Sequence, residues 1–317
     1  MNHTHVKALS IFYPELLKKI QELDKSTTKF VLYTSAETAM SIIINEEVWL
    51  RNVRCMNDYL EVEHGIRCLV NAFNSKNEGE EFQGVLEELF PGIIEEIRDV
   101  FEGWIPHFRS STYILCVSEH PSEEDQYGRL SMWRAYGGKQ SVAIVMNRNA
   151  FRSETDAFAT NTAPVYYSDA DKFTSVFSNL AKRIKSEREF ISELGKDVVI
   201  KHLFGLFKTY ALCVKHPGFH EEREWRVVYN PEIEKSKHVV SSIESIDGIP
   251  QEVYKIPLKN IPDENFNHAT IPELIHRIII GPNDHQEILG DTFEKMLKDA
   301  GCENPNERIH YSGIPLK

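Results

Sequence analysis

The sequence predicts an α+β fold with a mixed, largely antiparallel sheet and flanking helices. Segments with apolar residues at helical spacing are interspersed with short runs of β-branched and aromatic residues. The two kinds of segment do not alternate strictly, as they would around a doubly wound parallel sheet. Hydrophobic residues make up 41% of the 317 residues, so the chain can bury a sizeable core.

Helices are predicted from apolar residues three or four positions apart and from capping residues. Pro14 suits a first helical turn, Ser35 is a good N-cap, and Pro91 divides a longer helical pattern. The predicted helices cover residues 14–25, 36–45, about 58–74, 82–101 with the break at Pro91, 170–194, 197–215 and 285–300.

Strands are predicted from short β-branched and apolar runs, of which residues 141–146 have the continuous apolar character of a sheet centre. The predicted strands cover residues 30–34, 48–53, 113–118, 141–146, 163–167, 222–229, 253–257, 277–280 and 308–311, with a weaker signal at 238–240. The acidic stretch 120–128 is predicted to be a loop. Without a repeat or a linker, we expect one domain over 30–317 after a helical segment over 1–29.

The amino-acid composition limits which partners the protein can bind and indicates its cellular compartment. The formal net charge of -12 disfavours general nucleic-acid binding, which needs a basic surface. Five scattered cysteines without a CxxC pair indicate reduced thiols, and we expect no structural metal. The polar N-terminus and the shortness of all apolar runs predict a cytoplasmic protein that does not enter a membrane.

A charge run passes directly into an apolar run at residues 221–229. If a strand starts near Glu222, then Glu222, Glu224 and Arg226 share one face of it. The other face carries Arg223, Trp225, Val227 and Tyr229. Two carboxylates beside a guanidinium could bind a substrate, or they could form a local salt bridge on a solvated edge strand.

Two further stretches carry candidate site residues. Asn57 or Asp58 can cap the following helix, with Glu61 in its first turn, so this stretch could be a capped helix or part of a site. Trp133, Arg134 and Tyr136 lie in a helical turn between the acidic loop and the central strand. The two aromatics could line a pocket or simply cover the core.

Six motifs in order resemble the bacterial domain-of-unknown-function family 2971 (DUF2971). They are Tyr33-Thr34-Ser35, Met56-Asn57-Asp58-Tyr59-Leu60-Glu61, Cys116-Val117-Ser118-Glu119, Ser131-Met132-Trp133-Arg134-Ala135-Tyr136-Gly137, Glu222-Arg223-Glu224-Trp225-Arg226 and Ile279-Ile280-Gly281-Pro282. The resemblance runs from about Phe30 to Gly301. Some relatives are found among bacterial defence genes, so the resemblance implies a defence or toxin effector as one possible role.

A more distant resemblance is to ADP-ribosyltransferases. Their pattern of strand, helix and short second strand is similar to residues 30–53, and their late-strand catalytic glutamate would match Glu224 or Glu222. Leu32 departs from this pattern, because a basic residue or histidine is expected there. The resemblance implies an α+β fold of that kind and an enzyme that uses NAD as its substrate.

The resemblance also implies a role for each candidate residue. A fixed carboxylate, Glu224, would stabilise the positive charge that develops on the ribose when the nicotinamide bond breaks. Arg51 or Arg226 would pair with the pyrophosphate. Tyr33, Trp133 or Tyr136 would stack on the nicotinamide. Thr34 and Ser35 would form hydrogen bonds with the carboxamide or ribose. The other predicted site residues, which surround these groups, are Asn57, Asp58, Glu61, Ser118, Arg134 and Glu222.

Two alternatives stay open. Asp58, Glu61, Glu222 and Glu224 could hold Mg²⁺ in a metal-dependent nuclease or hydrolase. The polar residues could also form the network of a non-enzymatic ligand-sensing or partner-binding domain. We expect a small-molecule nucleotide as partner, with a protein or nucleic acid as acceptor and with a homo-oligomer or a defence-system protein as further candidates.

Overall fold

The computed structural model describes residues 3–55, 60–136, 138, 140–152, 155–246 and 248–315. These residues form two compact units. One unit is built from Met1–Lys25, Val53–Thr112 and Ala163–His220, and the other from Ser26–Asn52, Tyr113–Thr162 and Glu221–Lys317. The predicted domain boundary at residue 29 stays a prediction.

The described residues form helices and strands in mixed order, which confirms the α+β class. The helices are α1 (His3–Phe12), α2 (Pro14–Asp24), α3 (Ala36–Asn45), α4 (Leu60–Phe73), α5 (Glu78–Leu89), α6 (Ile93–Ser110), α7 (Leu130–Tyr136), α8 (Ala170–Ser186), α9 (Arg188–Leu194), α10 (Lys196–Cys213), α11 (Ile271–Leu274) and α12 (Gln286–Asp299). The strands are β1 (Lys29–Ser35), β2 (Glu47–Asn52), β3 (Tyr113–His120), β4 (Ser141–Met146), β5 (Thr160–Pro164), β6 (Tyr166–Tyr167), β7 (Val214–Lys215), β8 (Glu224–Tyr229), β9 (Val240–Ile246), β10 (Ile249–Pro257), β11 (Ile275–Ile280) and β12 (Ile309–Tyr311).

The described strands include a ten-stranded sheet with the order β12-β11-β4-β1-β3-β2-β10-β9, and β8 pairs with β3 and β5 beside that path. The neighbouring pairs along the path are antiparallel except for β11 with β12, which are parallel. The sheet is therefore mixed and largely antiparallel, as predicted. Strand β4 is buried at every position, which explains its continuous apolar sequence.

Strand β3 organises the centre of this sheet. One of its edges pairs with β8 at six positions, from Tyr113 opposite Tyr229 to Ser118 opposite Glu224. Its other edge is shared, because β2 pairs with its first residues and β1 with its last. Three strands thus pair with β3, and they bring distant parts of the sequence to one surface.

The other unit is mainly helical, with the two-residue strands β6 and β7. Its core contains the rings of Phe73, Phe82, Phe177 and Phe207, whose neighbouring centroids are 4.8 to 6.4 Å apart. Helix α4 crosses α10 closely at Gly65, where a Cβ atom would collide with the backbone carbonyl of Ala211. The glycine therefore allows the two backbones to approach.

Several predicted boundaries were wrong, and each error has a local cause. The predicted helix over 170–194 is divided at Glu187, whose backbone is not helical (φ -109°, ψ 28°), although apolar spacing continues across it. Helix α1 was missed because its first residues are polar, yet Ala8, Ile11 and Phe12 are buried. Strand β9 extends well past 238–240 because its exposed, serine-rich residues pair with β10.

Within the part of the chain that the structure describes, no helix combines the length and the apolar character needed to cross a membrane.

Candidate functional site

Five predicted site residues point to one face of the sheet. Residues directly opposite each other in adjacent strands project to the same side, as do residues two positions apart in one strand. The registers pair Ser118 with Glu224 and with Val31, and Arg51 with Ile114. This surface, which we call the site face, carries Tyr33, Arg51, Ser118, Glu224 and Arg226.

The centre of the site face is an ion pair between neighbours on β8. Arg226 donates from Nε to Oε1 of Glu224 at 2.8 Å and from Nη2 to Oε2 at 3.4 Å. The exposed fractions of the side chains are 1% for Arg226 and 5% for Glu224. The guanidinium therefore fixes the orientation of the carboxylate in a largely water-free environment.

An aromatic pair packs on the same face of the sheet. Tyr33 and Trp133 meet edge to face, with ring centroids 4.8 Å apart, and both are buried in a cluster with Met132 and Val145. Burial raises the pKa of the Tyr33 hydroxyl to about 12, although its hydrogen bond with the backbone N–H of Arg129 acts in the opposite direction. The indole N–H of Trp133 donates to the carbonyl of Tyr127 at 2.8 Å. These rings form part of the core beneath the site.

Arg129 is a positioning residue that the sequence analysis missed. Its guanidinium donates to the carbonyl oxygens of Glu119, Glu221 and Glu222 at 2.7 to 3.1 Å. It also binds both carboxylate oxygens of Glu124. These contacts join the end of β3, the acidic stretch that follows it and the residues that lead into β8. An arginine at the end of an acidic stretch was the only sequence signal.

The prediction that β8 starts near Glu222 is wrong. Glu222 ends a 3-10 helix, Pro217–Glu222, and Arg223 has a positive φ of 44°, so the strand begins at Glu224. Strand β8 is buried at all six positions and is not a solvated edge strand. Glu222 instead accepts a hydrogen bond from the hydroxyl of Tyr136 at 3.1 Å.

Arg51 and the remaining predicted residues in this unit differ in exposure and in their contacts. Arg51 is half-buried and donates from Nε to Oε1 of Gln251 at 3.3 Å. Ser35 caps α3 by accepting the backbone N–H of Thr38, and Arg134 is exposed on α7. Thr34 projects to the opposite face of the sheet, because it is adjacent to Tyr33 in β1.

Leu32 occupies the position where the resemblance to ADP-ribosyltransferases predicts a basic residue or histidine. It pairs with Ile144 and projects away from the site face, because it too is adjacent to Tyr33. Leu32 therefore does not contribute to the site face.

Glu61, from the motif at 56–61, belongs to the other compact unit. Glu61 forms an ion pair with the buried ammonium of Lys215 at 2.6 Å. Asn57 and Asp58 lie outside the described residues. The structure thus describes one predicted residue of this motif, and it serves as the partner of a buried lysine.

His120 and Arg277 are further polar residues of the site face that sequence reasoning missed. Nε2 of His120 lies 2.8 Å from one carboxylate oxygen of Asp125, and Arg277 lies 3.3 Å from the other. Burial lowers the pKa of His120, so its ring is neutral near pH 7 and donates to Asp125. The ring is 1% exposed, and its Nδ1 has no hydrogen-bond partner among the described residues.

The described residues contain no group of three or more His, Cys, Asp or Glu side chains placed to hold a metal ion.

A model of the family described as "Protein of unknown function (DUF2971)" matches residues 132–227. The match supports the DUF2971 assignment. The matched span contains nearly all of the aromatic turn at 131–137 and the whole motif at 222–226. The other motifs lie outside it, so the wider resemblance stays a prediction. No curated protein and no solved structure matched the chain.

Proposed function

We propose that the site face binds a nucleotide and that the protein is an ADP-ribosyltransferase-like enzyme that acts on NAD. The observation that carries the proposal is the single carboxylate of Glu224, oriented by Arg226 on the same face as Ser118 and Arg51. A reaction that develops positive charge on a ribose needs one fixed carboxylate of this kind.

Other polar side chains of this unit suit the remaining parts of such a substrate. Arg51 is held by Gln251 and can supply a planar cation for a pyrophosphate. Leu32 cannot supply this cation, because it is apolar and projects away from the site face. The hydroxyl of Tyr136 and the carboxylate of Glu222 form a polar pair that could bind ribose hydroxyls. Tyr33 and Trp133 support this surface from the core, so we assign them a positioning role and not the stacking role that the sequence suggested.

The proposed reaction breaks the bond between nicotinamide and ribose and forms a bond from the ribose carbon to an acceptor. The nicotinamide leaves with the bonding electrons, and the acceptor loses a proton. Glu224 would stabilise the positive charge and hold a ribose hydroxyl, while Arg226 keeps the carboxylate in place. We propose a protein, a nucleic acid or water as the acceptor. We also propose a role as a defence or toxin effector.

A non-enzymatic binding domain is the second candidate. It is favoured by the ion pair of Glu224 and Arg226, because both carboxylate oxygens of Glu224 already accept hydrogen bonds from the guanidinium. Buried networks of this kind can specify a fold without chemistry. The metal-dependent hydrolase stays an alternative. Of its predicted carboxylates, Glu61 already pairs with Lys215, and Asp58 lies outside the described residues.

Calorimetric titration with NAD, with and without Mg²⁺, tests these candidates together with an assay for released nicotinamide. The variants are Glu224→Gln and the double variant Glu224→Gln/Arg226→Met, which leaves no unpaired charge in the core. We expect the wild type to bind NAD saturably and to release nicotinamide slowly. Both variants should lower the rate of nicotinamide release at least about a hundredfold.

Glu287→Gln provides a matched control, because Glu287 is an exposed carboxylate in the same unit. The control should bind NAD and release nicotinamide like the wild type. Nicotinamide release that persists in the folded double variant would contradict the role of Glu224. If NAD at millimolar concentration gives no heat of binding, the proposal is contradicted. Binding of Mg²⁺ in that case would favour the hydrolase.

A further inference from the structure

A cavity of about 350 Å³ lies beside β11 in the sheet-containing unit. Its lining includes Asn147, His276, Arg277, Glu307 and Arg308. None of the five residues that define the site face lines it. Arg277, which also projects to the site face, is one of the lining residues of this cavity.

A β-bulge shapes one wall of this cavity. Met146 and Val145 are consecutive in β4, but they pair with Ile275 and Arg277, so His276 is an extra residue in β11. Bulges of this kind re-aim side chains at the edge of a regular pairing. The bulge places His276 and Arg277 in the same cavity lining.

Two guanidinium groups are held in the lining by the protein itself. Arg308 donates from Nη1 to the carbonyl oxygens of Pro272 at 3.0 Å and Ile275 at 2.6 Å. Arg277 pairs with Asp125 at 3.3 Å, and its side chain is 18% exposed. Because these contacts restrict both side chains, less conformational entropy is lost when they bind a ligand.

The charge balance around His276 is positive. Burial and, to a lesser extent, the cations Lys29, Arg277 and Arg308 together lower its pKa to about 4, whereas Asp125 alone acts in the opposite direction. Glu303 and Glu307 are exposed at the rim of the cavity. A half-buried, uncharged imidazole among cations indicates a local field that favours an anion.

We propose that this cavity binds a phosphate group through Arg277 and Arg308, with His276 as a further hydrogen-bonding residue. A phosphate offers several oxygens to two guanidinium groups, whereas a single carboxylate engages one fork most effectively. The volume accommodates either inorganic phosphate or the phosphate of a small phosphorylated molecule. This inference does not depend on the proposed NAD chemistry.

Calorimetry with inorganic phosphate and with ribose 5-phosphate, at constant ionic strength, tests the site. We expect saturable binding that Arg277→Gln weakens about tenfold in Kd and that Glu307→Gln strengthens, because the second variant removes a repelling carboxylate. Tighter binding of ribose 5-phosphate would identify a phosphorylated small molecule as the ligand source, and equal binding would identify the phosphate group alone. Arg188→Gln is the control, because Arg188 is an exposed arginine paired with Glu88 in the other unit.

Nuclear magnetic resonance of the wild-type His276 ring gives a second readout that needs no variant. A bound phosphate would offset the neighbouring cations, so the pKa of His276 should rise from about 4 when phosphate is added. The inference is overturned if potassium chloride at the same ionic strength or acetate gives the same heat. It is also overturned if the His276 pKa is unchanged by saturating phosphate, or if a folded Arg277→Gln variant binds phosphate as the wild type does.

Discussion

The ion pair between Glu224 and Arg226 is the residue-scale feature on which the candidate site depends. Both side chains are almost fully buried, and the two bonds of the guanidinium fork define the position of the carboxylate. Removing one partner of such a pair leaves an uncompensated buried charge, whereas removing both leaves none. The two kinds of variant should therefore differ sharply in stability.

We expect Arg226→Met alone to lower the free energy of unfolding by about 3–5 kcal/mol, because Glu224 remains buried without its partner. The double variant Glu224→Gln/Arg226→Met should recover most of this loss. Urea denaturation followed by circular dichroism measures both values. Losses that simply add in the double variant would show that the two charges do not interact.

At the scale of elements, Arg129 connects three segments of backbone. It reaches the carbonyl of Glu119 at the end of β3, the carboxylate of Glu124, and the carbonyls of Glu221 and Glu222 before β8. The acidic stretch was predicted only as a loop. These contacts give it a defined position beside the residues that precede β8.

Arg129→Met should loosen these segments without unfolding the sheet. Hydrogen bonds from a charged donor contribute more than neutral ones, so amide hydrogen exchange in peptides covering 121–129 and 221–223 should become at least about tenfold faster. Exchange in β4 should stay unchanged. Mass spectrometry measures these rates, and the exposed Arg188→Met is the control. Equal protection in Arg129→Met and the wild type would rule out this role.

At the scale of the whole molecule, charge limits the partners. The net charge of -12 repels polyanions, so a phosphate site must depend on a local group such as Arg277 and Arg308. A small ligand can enter such a cavity, whereas a duplex would meet the acidic surface.

We therefore expect weak binding to duplex DNA of arbitrary sequence, with a Kd above about 10⁻⁴ M at physiological salt. Fluorescence anisotropy with a labelled duplex measures this affinity, and a basic protein of similar size is the positive control. Micromolar binding that falls steeply with salt would show a basic groove that the composition conceals.

Much of the fold could be predicted from local signals. The predicted limits of β4 and α3 agree with the structure, because a continuous apolar run and the Ser35 cap act over neighbouring residues. The start of β8 could not be predicted in this way. Its position follows from the positive φ of Arg223, whose carbonyl accepts the N–H of Glu119, and from the bonds of Arg129.

The sequence by itself determined the α+β class, the order of most elements, the acidic character and the candidate residues on β8. Only the tertiary structure decided which candidates share a surface, because that depends on strand register between residues as distant as Arg51, Ser118 and Glu224. It also brought together Asp125, Arg277 and His120, which no periodicity connects. Local patterns report the conformation of neighbouring residues, whereas a site is defined by contacts between residues far apart in the chain.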